Sequence, residues 1–409
     1  AWTLLLEAIL LATFSCHDPQ ALIVLLGLGA IPPYLELRGR GKPTGTYFAH
    51  MLLFVVMLVL GWTSVTAEGL RHTHSLFVLI PLLIAILIRS GVAPFHCWMI
   101  DLCERATFGT AILNLLPITG AYAAVRLLLP IAPLWVMRSM GTISLFTAVY
   151  AAGMALIQTE GRRFFCYLFL SHSAMVLVGL EAIDKVALTG GLCVWLSIGL
   201  SLGGFGLCLR AIEARRGRVS MSEYQGLYEQ TPLLANIYLL MGLASVGFPG
   251  TFGFVGMEML VDGVVEEFPY TGAMILIASA FNGIAVIRSY FLIFTGVPLR
   301  SEMTLYLRIR ERFVVVALAI IILGGGFIPQ PGIAFQHAAA LHLLEDRSWV
   351  DKADGFSPLD EDEHTEGDAH EAGEAHEEET AEEMSEEPPE METSADYLEL
   401  PADGNKGRD

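Results

Sequence analysis

The sequence has few charged residues and no short motif that binds a common redox cofactor. Only 16% of its 409 residues are Asp, Glu, Lys or Arg, against roughly 25% in an average soluble domain. The six cysteines form no CxxC pair and no zinc or cluster spacing. No paired histidines suited to haem and no nucleotide-binding motif are present. We therefore expect no redox centre, metal site or nucleic-acid partner for this chain.

Long apolar runs make up most of the sequence outside its charged residues. Hydrophobic residues account for 54% of the chain, and a helix of roughly 20 such residues spans a bilayer. No alternation typical of a membrane β-barrel is present. The sequence predicts an all-α polytopic membrane protein of about eleven spans. Their approximate limits are 3–16, 20–36, 46–66, 75–104, 108–128, 138–157, 163–182, 186–211, 231–265, 270–296 and 311–330.

Two of these spans are too long for a single pass and contain a break. The fourth is interrupted around Gly91 and Pro94, and the ninth around Pro249 and Gly250. Proline removes a backbone donor and glycine adds freedom, so each cluster is expected to unwind a helix at membrane depth. Such backbone is tolerated only inside protein or beside a wet cavity.

The positions of the breaks predict an inverted repeat. Each lies in the fourth of five consecutive helices, and because five is odd the second set starts from the opposite side, as in transporters. We assign residues 1–130 and 131–300 to the two repeats and 301–345 to a final helix and its flank. The remaining residues, 346–409, are predicted to be a disordered acidic tail.

Charge is distributed unevenly over the chain. Residues 345–409 contain 25 acidic and 4 basic side chains, so the rest carries a net charge of only +2. Most Lys and Arg residues of the membrane part fall in loops on one predicted side, which the positive-inside rule makes cytoplasmic. The tail is then expected outside. The chain begins without Met in an apolar run, which we interpret as a missing N-terminal part.

Ionisable side chains within spans are costly, so each is a functional candidate. The proton-path candidates are Glu7, Arg89, His96, Asp101, His172 and Glu258. Arg89 precedes the first break and Glu258 follows the second, where half-helix ends and freed backbone groups supply polar partners. Glu7, Asp101 or water held by the open backbone are the available partners of Arg89, and the sequence does not choose among them. A role for Arg89 in holding helices together by an ion pair remains an alternative.

Four ordered motifs resemble one protein family. Residues 89–101 (RSGVAPFHCWMID) resemble the KxxxxPFHxWLPDA signature of antiporter-like subunits of complex I and of Mrp cation/proton antiporters. Residues 119–126, 158–172 and 247–258 resemble three further stretches of that family: a G-x-Y followed by Arg, QxDxKR…SxSH, and GLPGTxxFVGE. The motif sequences at the two helix breaks are most similar to those of the M-type subunit of NADH-quinone oxidoreductase.

The resemblance implies a function. It also shows where residues of this chain depart from the family's sequence pattern. In that family, membrane-embedded Lys and Glu residues pass protons, driven by quinone reduction elsewhere in the complex. The broken-helix Lys is Arg89 here, and other titratable family positions are occupied by Gly27, Ile118, Ile198 and Met257. A buried Lys can lose its proton, whereas Arg stays charged. The proton channel is therefore expected to be altered or silent.

The leading interpretation is an antiporter-like, proton-translocation subunit of an NADH-quinone oxidoreductase (complex I) type assembly in the inner (plasma) membrane. The resemblance implies other membrane subunits as partners, and NADH, FMN, iron-sulfur clusters and quinone bound by those partners. Alternatives are a subunit of an Mrp-type antiporter or of an inorganic-carbon uptake complex, with Arg89 attracting an anion, and a scaffold that does not pump.

Overall fold

The protein is a bundle of α-helices. A computed structural model describes residues 2–69, 74–265, 268–297 and 309–354, and within these the only pairing of strand type is an isolated bridge between Glu160 and Ser220. The helices are α1 (Trp2–Ser15), α2 (Pro19–Leu28), α3 (Ile31–Gly39), α4 (Gly45–Glu68), α5 (Leu76–Ser90), α6 (Cys97–Arg105), α7 (Phe108–Leu115), α8 (Thr119–Ala123), α9 (Leu134–Ile157), α10 (Gly161–Gly179), α11 (Lys185–Arg216), α12 (Pro232–Ser245), α13 (Phe252–Val265), α14 (Pro269–Phe294), α15 (Ile309–Phe327) and α16 (Gln330–Asp354).

Six stretches are long and apolar enough to cross a membrane. They are Pro19–Gly39, Gly45–Glu68, Phe108–Leu128, Leu134–Ile157, Lys185–Arg216 and Pro269–Phe294, and the bent pair α15 and α16 makes a seventh if it is one span. Other predicted spans consist of shorter pieces: α5 has 15 residues, and α12 and α13 have 14 each. The expectation of several membrane-spanning helices is therefore confirmed in the described residues.

Both predicted helix breaks are present. α5 ends at Ser90 and α6 begins at Cys97, while α12 ends at Ser245 and α13 begins at Phe252. Two spans that the sequence presents as continuous are also interrupted. α2 gives way to α3 at Gly29 and Ala30, and α7 to α8 around Pro117. A proline ring clashes with the preceding helical turn, which accounts for the second of these interruptions.

The helix α10 lies at the centre of the bundle. All its residues from Phe164 to Gly179 are buried, and it packs against α6, α8, α9, α11 and α14. A helix that is apolar on every side needs such an enclosed place. Because α10 also contacts the segments beside both breaks, polar side chains on it are placed between them.

The C-terminal part of the bundle differs from expectation. The sequence analysis ended the last helix near residue 330 and began a disordered tail at 346, but α16 runs from Gln330 to Asp354 at about 80° to α15. It packs against α11, and Arg347 near its end is fully buried. The start of the tail was therefore predicted too early. Residues 355–409 lie outside the described residues.

Candidate functional site

The first break is formed by a local chain reversal after Arg89. Gly91 has a φ of +69°, the left-handed conformation that commonly terminates helices at glycine. The amides of Gly91 and Val92 return to the carbonyls of Ile88 and Leu87, at 3.1 and 3.0 Å. The Ile88 carbonyl also accepts the indole N–H of Trp98 at 2.9 Å. The two halves of the broken span are thus tied together beside Arg89.

Arg89 is buried against neutral groups. Its side chain is 5% exposed, donates to Asn114 Oδ1 at 3.4 Å and lies 5.6 Å from the centre of the Trp98 ring. A cation–π contact contributes about 0.5–2 kcal/mol, whereas leaving a buried charge without an opposite charge costs several kcal/mol. The surroundings of Arg89 therefore hold the guanidinium in place without balancing its charge.

The two carboxylates expected to pair with Arg89 lie elsewhere. Asp101 forms an ion pair with Arg105, one helical turn further along α6, at 2.9 Å. Glu7 is exposed on the first helix. The i,i+4 spacing favours the Asp101–Arg105 pair, and it leaves Arg89 without an acidic partner among the described residues.

A small cavity adjoins Arg89. Its volume is about 10 Å³, close to the minimum that holds one water molecule. It is lined by Arg89, Ser90, Trp98, Met99, Asn114, Leu115, Ile118, Thr119, Gly120, Phe169 and Ser173. The cavity is therefore closed on one side by α10 and on the other by the break between α7 and α8.

Three consecutive polar residues of α10 point in different directions. Ser173 lines the cavity beside Arg89. Ser171 donates to the Ala148 carbonyl and accepts from Asn282 Nδ2, both at 2.8 Å. His172 is fully buried, its Nδ1 lies 2.7 Å from the Leu168 carbonyl, and its ring interacts with the Ser245 backbone at the end of α12. α10 thus presents polar groups toward both breaks.

The second break leaves its acidic residue outside the bundle. Gly247 and Gly250 have φ angles of +82° and +88°, which glycine adopts without strain. Beyond them Met257 is 8% exposed, whereas Glu258 is exposed. One residue of helix is about 100° of rotation, so Glu258 faces away from the interior that Met257 occupies. Asp262, one turn further on, is exposed as well.

His96 lies apart from the Arg89 cavity. It is partly exposed at the start of α6, and its ring centre is 5.5 Å from that of Tyr150 and 6.5 Å from that of Tyr167. No hydrogen bond or ion pair joins any two of the six proton-path candidates in the part of the chain that the structure describes. The structure leaves these candidates unlinked, and Glu7 lies on α1, away from both breaks.

Asn114 and Ser90 were not predicted from the sequence as site residues. Asn114 is the residue that contacts Arg89 from α7, and Ser90 lines the same cavity. A single amide within the apolar run from Phe108 to Leu115 was the available signal, because a buried amide needs hydrogen-bond partners. After the break at Ile118, which has a φ of +48°, α8 packs against α5.

Gly120 allows α8 to approach the end of α5. A Cβ there would lie 2.2 Å from Ser90 Oγ and 2.6 Å from the Ser90 backbone nitrogen. We expect Gly120→Ala to destabilise the chain by about 1–3 kcal/mol, the usual cost of overpacking, measured by thermal unfolding in detergent. Gly153→Ala in α9 is the control, because no atom lies within 4 Å of its added Cβ. Equal stability of the two variants would contradict the close approach.

The arginines of one face connect four loops. Arg162 donates to the Ala106 carbonyl at 2.7 Å, Arg218 to the Glu104 carbonyl at 2.6 Å and Arg40 to the Arg105 carbonyl at 3.4 Å. The ends of α3, α6, α9 and α11 therefore meet on the same face, as expected from the loop charges. Arg300 and Arg308, also assigned to this side, lie outside the described residues.

Residues 44–282, more than half of the chain, match the profile of the family described as "NADH:quinone oxidoreductase/Mrp antiporter, TM". The chain belongs to this family. It is 30% identical over 287 residues to NADH-quinone oxidoreductase subunit M of Pseudomonas aeruginosa, covering 66% of this chain and 53% of the relative. It is 29% identical to subunit M of Escherichia coli, with 63% and 52% covered. The chain spans about half the length of these curated relatives.

Solved structures share the fold. A chain of respiratory complex I from Thermus thermophilus superposes with a TM-score of 0.77 at 22% identity, covering 85% of this chain and 79% of that one. A chain of the Mrp complex from Dietzia sp. gives a TM-score of 0.73 at 17% identity, with 85% and 78% covered. Both are below 25% identity, so they establish the fold alone. The family assignment and these superpositions confirm a multi-pass membrane protein of this fold.

The structure also describes the positions that the resemblance marked as departures from the family pattern. Ile118 lines the cavity beside Arg89. Ile198 and Met257 are buried, whereas Gly27 is partly exposed, and a Cβ added there would lie 3.7 Å from Val55 Cγ2. These positions therefore carry apolar groups, and residue 89 carries a permanent cation.

Proposed function

We propose that this chain is an antiporter-like membrane subunit of an NADH-quinone oxidoreductase type assembly whose own proton channel is silent. The observation that carries this proposal is the Arg89 site. The guanidinium is buried, and Ile118 lines the cavity beside it. Because Arg stays protonated in essentially any protein site, Arg89 is a fixed charge and not a stage in proton transfer. In the assembly, proton translocation coupled to quinone reduction then runs through other subunits.

Partners and location follow from the same proposal. The relatives are named as subunits of NADH-quinone oxidoreductase, so we assign to this chain a place among the membrane subunits of such an assembly, in the inner (plasma) membrane. NADH, FMN, iron-sulfur clusters and quinone belong to its partners. The arginine-rich face is cytoplasmic under the positive-inside rule, which puts the acidic tail on the extracytoplasmic side.

We infer eleven transmembrane helices, ten of them in two inverted five-helix repeats. The first repeat comprises α1 to α8 within residues 1–130, and the second comprises α9 to α14 within 131–300. In each, the fourth span is the broken one, α5 with α6 and α12 with α13. This correspondence supports the repeat, since paired discontinuous helices are typical of inverted-repeat transporters. The eleventh helix is α15, which follows the second repeat and is separated from α16 by a bend of about 80°.

The size of the cavity beside Arg89 can be compared with the anion that the alternative function, an anion-transporting subunit, would require. A volume of about 10 Å³ admits one water-sized particle. Bicarbonate, with four heavy atoms, is larger than this space. The site therefore favours a static role for Arg89 over passage of bicarbonate.

Purification of the tagged full chain in a mild detergent tests the proposal. We expect membrane subunits of an NADH-quinone oxidoreductase to be recovered with it, together with NADH-dependent quinone reduction. Recovery of a set of Mrp antiporter subunits without that activity would contradict the proposal and support the antiporter alternative. Recovery of the chain alone would contradict both.

A further inference from the structure

An open apolar groove runs along the bundle between two helical segments. One wall is α2 with the start of α3, the other is α4, and the space between them is about 480 Å³, a size typical of sites for small ligands. Exposed apolar side chains from both walls form its rims: Val24, Leu28, Ile31, Phe48, Leu52 and Val59. Because its rims are apolar, the groove suits an apolar occupant.

The walls leave this space open and keep polar groups out of it. Gly27 lies midway along the first wall, and a Cβ added there would make an ordinary contact of 3.7 Å with Val55 Cγ2. A longer side chain at this position would extend into the groove. The Tyr47 hydroxyl donates to the Ala30 carbonyl at 3.1 Å, so it is satisfied within the protein.

The groove is about as long as one leaflet is thick. Its lining residues run from Ile23 to Tyr34 on the first wall and from Tyr47 to Val59 on the second. At 1.5 Å per helical residue, each wall is roughly 17 Å long, and the hydrocarbon of one leaflet is about 15 Å thick. A helix about 10 Å across would occupy roughly 1,000 Å³ or more over that length. The dimensions therefore fit an acyl chain, which is a single row of methylene groups.

One end of the groove adjoins a basic turn. The rings of Tyr34 and Phe48 meet at that end with their centres 5.6 Å apart, and tyrosine is enriched at membrane interfaces. Arg38 follows Tyr34 by one turn on the same face of α3, and Lys42 lies in the turn before α4. Both are exposed, and neither forms an ion pair with a carboxylate of the described residues.

These two cations distinguish among apolar ligands. The third basic residue of the turn, Arg40, is already engaged by Glu36 at 3.6 Å and by the Arg105 carbonyl. A quinone carries no charge to pair with Arg38 and Lys42. Both residue types bind phosphate, and basic side chains at the membrane surface attract anionic lipids. The groove and the turn together match an acyl chain that continues into an anionic headgroup.

We propose that the groove binds one anionic phospholipid of the leaflet on the arginine-rich face. An acyl chain lies between α2 and α4, and the phosphate lies at Arg38 and Lys42. The lipid covers the exposed apolar rims and joins the two walls. This inference rests on the membrane location of the chain and does not depend on which assembly contains it.

Native mass spectrometry of the purified full chain tests the site. The chain is titrated with phosphatidylglycerol and with phosphatidylcholine of the same acyl chains. We expect phosphatidylglycerol to bind about tenfold more tightly, because it alone carries a net negative charge for the basic turn. In the intact assembly, phosphatidylglycerol with a photoreactive acyl chain should label α2 or α4.

The first variant removes the charges. Arg38→Gln combined with Lys42→Gln should lose the preference for phosphatidylglycerol and keep the binding of phosphatidylcholine. Arg210→Gln combined with Arg216→Gln, at the end of α11 on the same face, is the matched control and should keep the parental preference. Since neither pair alters apolar packing, this comparison does not depend on the variant that fills the groove.

The second variant fills the groove. Gly27→Phe should weaken the binding of both lipids about tenfold or more, because its ring occupies the place of the acyl chain. Gly153→Phe on α9, where no atom lies within 4 Å of an added Cβ, is the control and should bind both lipids as the parent does.

Each component of the proposal has a result that would overturn it. Equal affinities of the parent for the two lipids would exclude a headgroup site, and parental binding by Gly27→Phe would place the lipid outside the groove. Loss of the preference in the Arg210 and Arg216 control would point to general surface charge. Displacement of the lipid by an equal concentration of ubiquinone would assign the groove to a quinone. Absence of photolabel from α2 and α4 in the assembly would show that a partner subunit covers the groove.

Discussion

Arg162→Ala is expected to destabilise the chain by about 3–5 kcal/mol, the cost of breaking a buried ion pair by removing one partner. Arg162 binds Glu213 through Nη2 at 2.7 Å and through Nε at 2.8 and 3.0 Å, and both side chains are about 15% exposed. It also donates to the carbonyls of Ala106 and Cys103 and lies over the Phe108 ring. One residue thereby joins α6, α7, α10 and α11.

Arg218→Ala is the matched control for Arg162→Ala. Arg218 pairs with Glu160 on the same face at 3.1 Å, but the two side chains are 49% and 35% exposed. Exposed pairs contribute roughly 0–1 kcal/mol. Titration with a denaturing detergent should therefore shift the unfolding midpoint much more for Arg162→Ala. Similar shifts for both variants would contradict the importance of burial at this junction.

Arg347→Met is expected to detach α16 and to destabilise the chain by about 3 kcal/mol or more. Arg347 is fully buried and donates to the carbonyls of Leu129 and Ala132, at 2.8 and 2.7 Å. These carbonyls follow the π-helical turn Ala124–Leu128, where helix ends leave acceptors without intrahelical donors. A hydrogen bond to a charged group contributes about 1.5–3 kcal/mol, and methionine retains the apolar stem while it removes both bonds.

Limited proteolysis measures the detachment of α16. We expect faster cleavage between α15 and α16 in Arg347→Met than in the parent, together with a lower unfolding midpoint. Asp346→Asn, at the exposed neighbouring position, should behave as the parent. An unchanged cleavage rate in Arg347→Met would show that other contacts, such as the 3.2 Å contact between Thr189 and His337, are sufficient to hold the helix.

The helix breaks could be predicted from the sequence because their cause is local. Gly91 and Gly250 adopt left-handed backbone conformations, and Pro94 and Pro249 cannot continue a helix. The rotation of Glu258 away from the interior was predictable for a similar reason, since helical geometry fixes the angle between neighbours. Hydropathy likewise indicated the membrane class.

The partners of Arg89 and the course of α16 could not be predicted in this way. Asn114 on α7 reaches Arg89 on α5 through a tertiary side-chain hydrogen bond that no local sequence pattern encodes. α16 has too many polar residues for a hydropathy window to indicate a packed helix. Its position depends on Arg347 meeting carbonyls more than 200 residues earlier in the chain.

The number of protons translocated per electron in the reconstituted assembly shows whether this chain conducts protons. His172 is fully buried on α10 between the two breaks, so any proton path through the middle of this chain is expected to involve it. Because the channel is proposed to be silent, we expect His172→Gln to leave the ratio of protons moved to electrons transferred unchanged, and Glu258→Gln at its exposed position to do the same. A lower ratio for His172→Gln, in an assembly that reduces quinone at the parental rate, would show that this chain conducts protons and that its channel is not silent.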